Sequence, residues 1–364
     1  MLACFTSPVF YLGAVSPGWP TPSGGYLAEE ADRSMATALD QFKLADELGY
    51  DWVGLTEHHF GPFSLTPNPT VFAGAMTQVV KRAKIALLGS LIPMLNPVRV
   101  AEEVAMLDTM SQGRIVAGML RGTPNENVTY NMNPSESRAR FEEAFHLIRQ
   151  AWTENQPFGW QGRYFSFRSI AVWPRPVQQP HPPIFMSGSS PESALFAARQ
   201  RVNVAMAVTT LPLATAAAKL YRDEAARTGW NPQPSNVLYR LGFHVADSDE
   251  QAQADFEASH ARRQRGSPVL ANQALEAAIA GTGYYGADHA NQRARNRRTP
   301  TLADRIELGQ IMIGGPATVV AQAKRIRDQL GAGIFDLIPA FELGERTLHS
   351  LGLYARKVLP ELRD

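Results

Sequence analysis

Four short segments carry residue types that could do chemistry. Glu57-His58-His59-Phe60 sets two imidazoles beside a carboxylate. An imidazole in a cleft can hold or move a proton near neutral pH. Adjacent histidines could also ligate a metal, but no His-x-x-x-His spacing and no carboxylate four residues on accompany them. Consecutive residues leave a strand end in different directions, so one imidazole of the two is expected to face a site. A histidine bonded to a nearby carbonyl is the plain structural alternative. In Leu88-Gly89-Ser90-Leu91, a glycine inside an apolar run marks close approach of a ligand or of another backbone. Arg121, in Met119-Leu120-Arg121-Gly122, could grip an anion through several donors or form a surface ion pair. Ser187-Gly188-Ser189-Ser190-Pro191 brings small residues to the start of a helix. Backbone N–H groups can approach a ligand there, and the helix N-terminus favours an anion. An ordinary helix cap is the alternative.

The elements that must position these residues alternate regularly. Apolar runs at Ala3–Phe10, Asp51–Thr56, Ile85–Ile92, Ile115–Gly118, Pro183–Ser187, Val202–Val208, Val237–Val245 and Ile334–Pro339 read as eight strands. Helical patterns separate them. Met35, Ala38, Leu39, Phe42, Ala45 and Leu48 follow helical spacing, and Gly49 sits at the C-terminal end. Asn96-Pro97 and Ser190-Pro191 pair an N-cap with proline at the first helical position. Further helices are expected near 70–82, 135–154, 212–228, 249–262, 316–330 and 345–360. Residues 159–179 read as a small hairpin or extended excursion. Eight strand–helix repeats predict an α/β fold, a closed (β/α)8 TIM barrel, with chemistry at the C-terminal strand ends. All four segments fall at such ends. Arg121 and the 187–191 turn follow consecutive strands, so they could hold one phosphate together. No Gly-x-Gly-x-x-Gly follows the first strand, which removes the usual support for a dinucleotide fold.

Composition narrows the class. The 364 residues carry 35 Lys and Arg against 34 Asp and Glu, a net charge of +1. That balance argues against a nucleic-acid binder. The longest apolar run, about Ile85 to Leu95, is too short to cross a bilayer. Met1-Leu2-Ala3-Cys4 begins no secretory signal pattern, so a cytoplasmic enzyme is expected. Cys4 is the single cysteine, which excludes an intrachain disulfide or a cysteine metal centre. No metal site is expected. A bare barrel needs about 250 residues. The chain therefore reads as one domain, 1–364, with its surplus in the loops.

Taken in order, these segments resemble the bacterial luciferase-like flavin-dependent monooxygenases. The resemblance rests on Gly49-Tyr50-Asp51-Trp52 leading to Glu57-His58-His59-Phe60, on Asn96-Pro97-Val98-Arg99 with Ala101-Glu102, and on Leu107-Asp108-x-Met110-Ser111-x-Gly113-Arg114. It continues through Arg121-Gly122, Pro182-Pro183-Ile184 to Pro191, Gly314-Gly315-Pro316 and Gly333-Ile334-Phe335-Asp336. It implies reduced FMN at the barrel mouth, supplied by a separate reductase, with O2 as co-substrate. By position, His58 matches the family's active-site histidine. Arg121 and Ser187, Gly188, Ser189 and Ser190 match the residues that hold the FMN phosphate. Leu88-Gly89 matches a place where the family often has a non-proline cis peptide beside the flavin ring. Thr209 and Thr210 are expected to line the flavin face. Leu120 stands where luciferase itself has a cysteine, and Ser187 where it has a glutamate, so light emission is not implied.

The implied reaction runs through a C4a-(hydro)peroxyflavin, with His58 holding or moving the peroxide proton, and oxygenates a small organic substrate. Two alternatives stay open: hydride transfer with a deazaflavin on the same fold, and a non-catalytic flavin-binding protein. A homodimer is expected from the resemblance. Residues 246–305 form an insertion after the seventh strand. Its 262–305 part is Arg-rich, with Gly281-Thr282-Gly283-Tyr284-Tyr285-Gly286 inside, and is a candidate lid or else a solvated loop. Trp19, Phe60, Phe63, Trp160, Phe165 and Trp173 are candidate apolar walls, ordinary loop and core packing being the alternative.

Overall fold

A computed structural model describes residues 1–11, 13, 20–62, 64–207, 209–263, 300–340 and 344–363. Eight parallel strands close a barrel: β1 (Leu2–Ser7), β2 (Trp52–Leu55), β3 (Lys84–Leu87), β4 (Ile115–Met119), β7 (Ile184–Ser187), β8 (Asn203–Met206), β9 (Val237–Val245) and β11 (Ile334–Pro339). Each pairs with the next, β8 pairs with β9, and β11 pairs with β1 to complete the circle. All eight strands expected from the apolar runs are present, and the barrel is the predicted TIM fold.

The runs are apolar throughout because both strand faces are covered. Inward positions Cys4, Trp52, Ala86, Leu88, Val116, Phe185, Ala205, Leu238 and Ile334 form one interior cluster. The alternate positions, such as Phe5, Val53, Ile85 and Phe335, pack outward under the helices. Some of the helices begin where a proline and a side-chain cap coincide. α1 (Ala28–Glu47) comes first, and Asn68 accepts from the Thr70 and Val71 amides to start α2 (Pro69–Val79). Asn96 does the same for α3 (Pro97–Met110) through Val98 and Arg99. After β4 come α4 (Pro124–Thr129) and α5 (Ser137–Thr153). Ser190 caps α6 (Pro191–Gln200) through the Ser193 amide, and α7 (Leu211–Arg227) follows β8.

The 159–179 excursion contains an antiparallel hairpin, β5 (Phe158–Gln161) and β6 (Ser166–Ile170). Glu143 of α5 fastens it by accepting from Trp160 Nε1 and from the Arg163 and Phe165 amides at 2.9–3.3 Å. One strand goes beyond the sequence expectation. β10 (Ile311–Gly314) pairs with Gly242–Val245 of β9, while β8 pairs with Val237–Tyr239. The long β9 thus has two successive partners along one edge. The C-terminal helix expected at 345–360 is broken: a helix at Glu345–Leu353 widens into a π turn at Tyr354–Val358, and Pro360 opens a last short helix. α8 (Asp249–Arg263) opens the insertion, whose residues 264–299, most of the candidate lid, lie outside the described residues. So do Trp19 and Phe63. No helix among the described residues is long and apolar enough to cross a membrane.

Candidate active site

β2 hands the chain to Thr56 and Glu57 at the barrel mouth. Glu57 turns inward and is buried, and its Oε1 lies 3.1 Å from His59 Nε2, itself buried with its ring edge on Tyr130. His58 points the other way. Its side chain is 30% exposed, and Nδ1 lies 3.3 Å from Oε1 of Glu126 on α4. The two imidazoles therefore diverge, as neighbouring residues at a strand end must. Glu126 is anchored by Thr123, whose amide donates to Oε2 at 2.8 Å and whose hydroxyl bonds the same oxygen.

The two carboxyls are pushed apart. Burial drives Glu57 above the ordinary carboxylate range, against hydrogen bonds from His59 and the Leu91 amide, and the charge on Glu126 adds to the rise. Burial also works to raise Glu126, but hydrogen bonds from His58 and Thr123 outweigh it and hold Glu126 below that range. Burial, with Glu57 and Glu126 nearby, raises the Tyr130 phenol. Opposed shifts on neighbouring carboxyls are a signature of acid–base sites.

Round the same mouth, Arg121 follows β4 and Ser187 ends β7. They line an open cleft together with Arg138 and Glu142 of α5, Ser193 of α6, Met119 and Phe196. Glu192, in the first turn of α6, lies 3.7 Å from Arg138. Its carboxyl is held below the ordinary range by its own amide, by Ser190, and by Arg138 and Arg121, against burial. An anion is thus already favoured at this spot. The neighbouring small residues are used structurally. Ser189 Oγ donates to the Ala207 carbonyl and accepts from the Ala207 amide, each at 3.1 Å. Ser190 caps α6, and a Cβ on Gly188 would stand 2.7 Å from Val204 Cβ. Of the expected phosphate residues, the cleft is lined by Arg121 and Ser187.

Gly89 is needed for close approach of backbone. A Cβ there would fall 2.4 Å from the Glu57 amide nitrogen and 2.7 Å from the Thr56 carbonyl carbon. Leu88 belongs to the barrel interior. The cis expectation is corrected: the cis peptides among the described residues are Trp173–Pro174 and Gln179–Pro180, so Leu88–Gly89 is trans. Thr209 lies past the end of β8. The aromatic walls resolve mostly as packing. Trp160 and Phe165 pack against the outer core through the hairpin, Trp173 is 84% exposed, and Phe60 is half-exposed. Among the described residues no set of three His, Cys, Asp or Glu could hold a metal.

Sequence reasoning missed Glu126, Arg138 and Ser193. Glu126 had a signal, being the single acidic residue between Arg121 and Ser135. Arg138 sits among other arginines on a helix, where spacing does not say which one reaches a neighbouring strand end.

Comparison with known proteins gives the family. The luciferase-like monooxygenase family matches residues 12–333. The alkanal monooxygenase alpha chain of Photorhabdus luminescens is 32% identical over 158 residues, 43% of each chain. The oxygenase component of the flavin-dependent trigonelline monooxygenase of Acinetobacter baylyi is 27% identical over 221 residues, 59% of this chain and 60% of that one. The match thus spans about half the length of these curated relatives. Among solved structures, monooxygenase RslO1 from Streptomyces bottropensis has a TM-score of 0.78 at 25% identity, covering 100% of both chains. A family match over most of the chain, on a barrel with a histidine and an anion cleft at its mouth, makes this chain a member of the luciferase-like monooxygenase family.

Proposed function

We propose that the chain is the oxygenase component of a two-component system, using reduced FMN from a separate reductase, and O2, to oxygenate a small organic substrate. The observation that carries this is the sharing of one barrel mouth by the Arg121–Arg138 anion cleft and the His58–Glu126 pair. The residues fit the cofactor's phosphate. Two guanidiniums, Ser187 and the N-terminal turn of α6 surround a spot that favours a carboxylate. Glu192, more than half exposed, has room to swing out when a phosphate enters. When bound, reduced FMN would supply the electrons that activate O2.

The chain's own residues do the rest. Arg121, Arg138 and Ser187 bind the phosphate. Glu126 accepts from Nδ1–H of His58 and so leaves Nε2 to hold or move a proton toward the mouth. Thr123 keeps that carboxylate in place. Buried Glu57 and His59 wall the floor beside them. Leu88, Gly89, Gly188, Ser189, Ser190 and Thr209 are read as shaping the cofactor seat through backbone placement. The enzyme is read as a cytoplasmic homodimer; support for pairing is the exposed apolar face of α2 and α3, with Val71, Met106 and Met110.

Two measurements test the reading. Without oxygen, reduced FMN should bind more tightly than reduced riboflavin, which lacks the phosphate. With labelled O2 and a substrate panel, one labelled oxygen atom should enter the product. Equal binding of the two flavins, or tight binding of a deazaflavin with no label incorporated, would sink the proposal.

A further inference from the structure

Three of the polar side chains on the inward strand faces bond to one another inside the barrel. Thr6 follows Cys4 on the inward face of β1, Arg240 follows Leu238 on β9, and Asp336 follows Ile334 on β11. Arg240 and Asp336 are partners in the β9–β11 register. Arg240 Nε donates to Asp336 Oδ2 at 2.5 Å, and the Thr6 hydroxyl donates to Oδ1 at 2.6 Å. Asp336 is sealed from solvent, whereas the arginine side chain is 14% exposed. Arg240 Nη2 is buried and has no hydrogen-bond partner among the described residues.

A buried ion pair is a poor stabiliser, since apolar groups of similar volume often serve as well or better. A buried pair with a donor left over is poorer still. The pair therefore points to a ligand that completes it. Position says where that ligand lies. Toward the mouth, the same face of β9 continues with Gly242, which adds no side chain, and then His244, which is taken up by Asp255 of α8. The mouth is the one reached by His58, Arg121 and Ser187, because all eight strands run parallel. Around it, β9 stands two strands from β7 and three from β2.

We infer that Arg240, clamped by Asp336 and Thr6, is the group by which this barrel tells reduced from oxidised cofactor. The inference rests on the flavin reading above. A two-electron-reduced flavin carries negative charge at N1 and the adjoining carbonyl, which the neutral oxidised ring lacks. A fixed guanidinium donor facing that ring binds the reduced form preferentially. The preference suits an oxygenase that takes up reduced flavin and must let oxidised flavin go.

The test is a pair of dissociation constants, for oxidised FMN and for dithionite-reduced FMN without oxygen. The wild type should bind the reduced form more tightly. Arg240→Met with Asp336→Asn, which leaves no orphaned charge, should lose about tenfold of that ratio, equivalent to about 30 mV in a two-electron midpoint potential. Affinity for oxidised FMN should hardly change. Arg240→Lys keeps a cation beside Asp336 but lacks Nη2. It should lose about threefold of the ratio, and it serves if the double variant does not fold. An unchanged ratio in a folded variant, or equal weakening of both forms, overturns the role of Arg240 alone. A wild type that binds neither form overturns the flavin reading with it.

Discussion

At the residue scale, His58 and Glu126 form one hydrogen-bonded pair. Removing the imidazole in His58→Ala should cost about a hundredfold in turnover. Glu126→Gln should cost less, about tenfold. Steady-state rates check both, and a Glu126→Gln variant with the wild-type rate would exclude the positioning role. In the cleft, Glu192 now competes for the guanidiniums that a phosphate would use. Glu192→Gln should tighten FMN binding about threefold and Arg138→Ala should weaken it about tenfold, with riboflavin affected by neither. Fluorescence titration with the two flavins reads this directly.

At the scale of elements, α6 and α7 are tied by Glu224, which bonds Arg199 Nε at 2.5 Å and Arg227 Nε at 2.7 Å. Hydrogen bonds from Arg227 and then Arg199 pull the Glu224 carboxyl down to about 2. A depressed carboxyl contributes stability above its unfolded value, and that contribution fades as pH falls toward the folded one. Glu224→Gln should therefore lower the melting temperature at pH 7, and the deficit should close as the pH approaches 2. Gly89 gives an element-scale test of packing. With a Cβ forced onto the Thr56–Glu57 peptide, Gly89→Ala should destabilise by about 1–3 kcal/mol and disturb His58 with it. Denaturant melts and turnover should fall together.

For the whole molecule, stability and site chemistry pull against each other at Glu57. Burial raises its carboxyl, so the stability it contributes is complete below the ordinary carboxylate range and is lost as pH rises through the raised folded value. Glu57→Gln keeps an acceptor for His59 and should raise the melting temperature near pH 7 by about 2 °C. The gain should vanish in acid. Scanning calorimetry at pH 4 and pH 7 decides it; an equal shift at both would rule out titration as the cause.

The sequence by itself determined the barrel. Continuous apolar runs at regular spacing, with Asn-Pro and Ser-Pro helix starts between them, leave little choice once both faces of every strand must be buried. It also located the mouth residues His58, Arg121 and Ser187, because strand ends are legible from local pattern. It could not show β10, a run of four residues whose role is to continue β8 along β9. Nor could it show which side chains meet across the mouth. Glu126 reaches His58 from 68 residues away, and Asp336 meets Thr6 across 330. Such pairs depend on closure of the barrel, which brings distant strand ends within hydrogen-bond range. Tertiary structure alone brought His58 to Glu126, and Arg240 and Thr6 to Asp336.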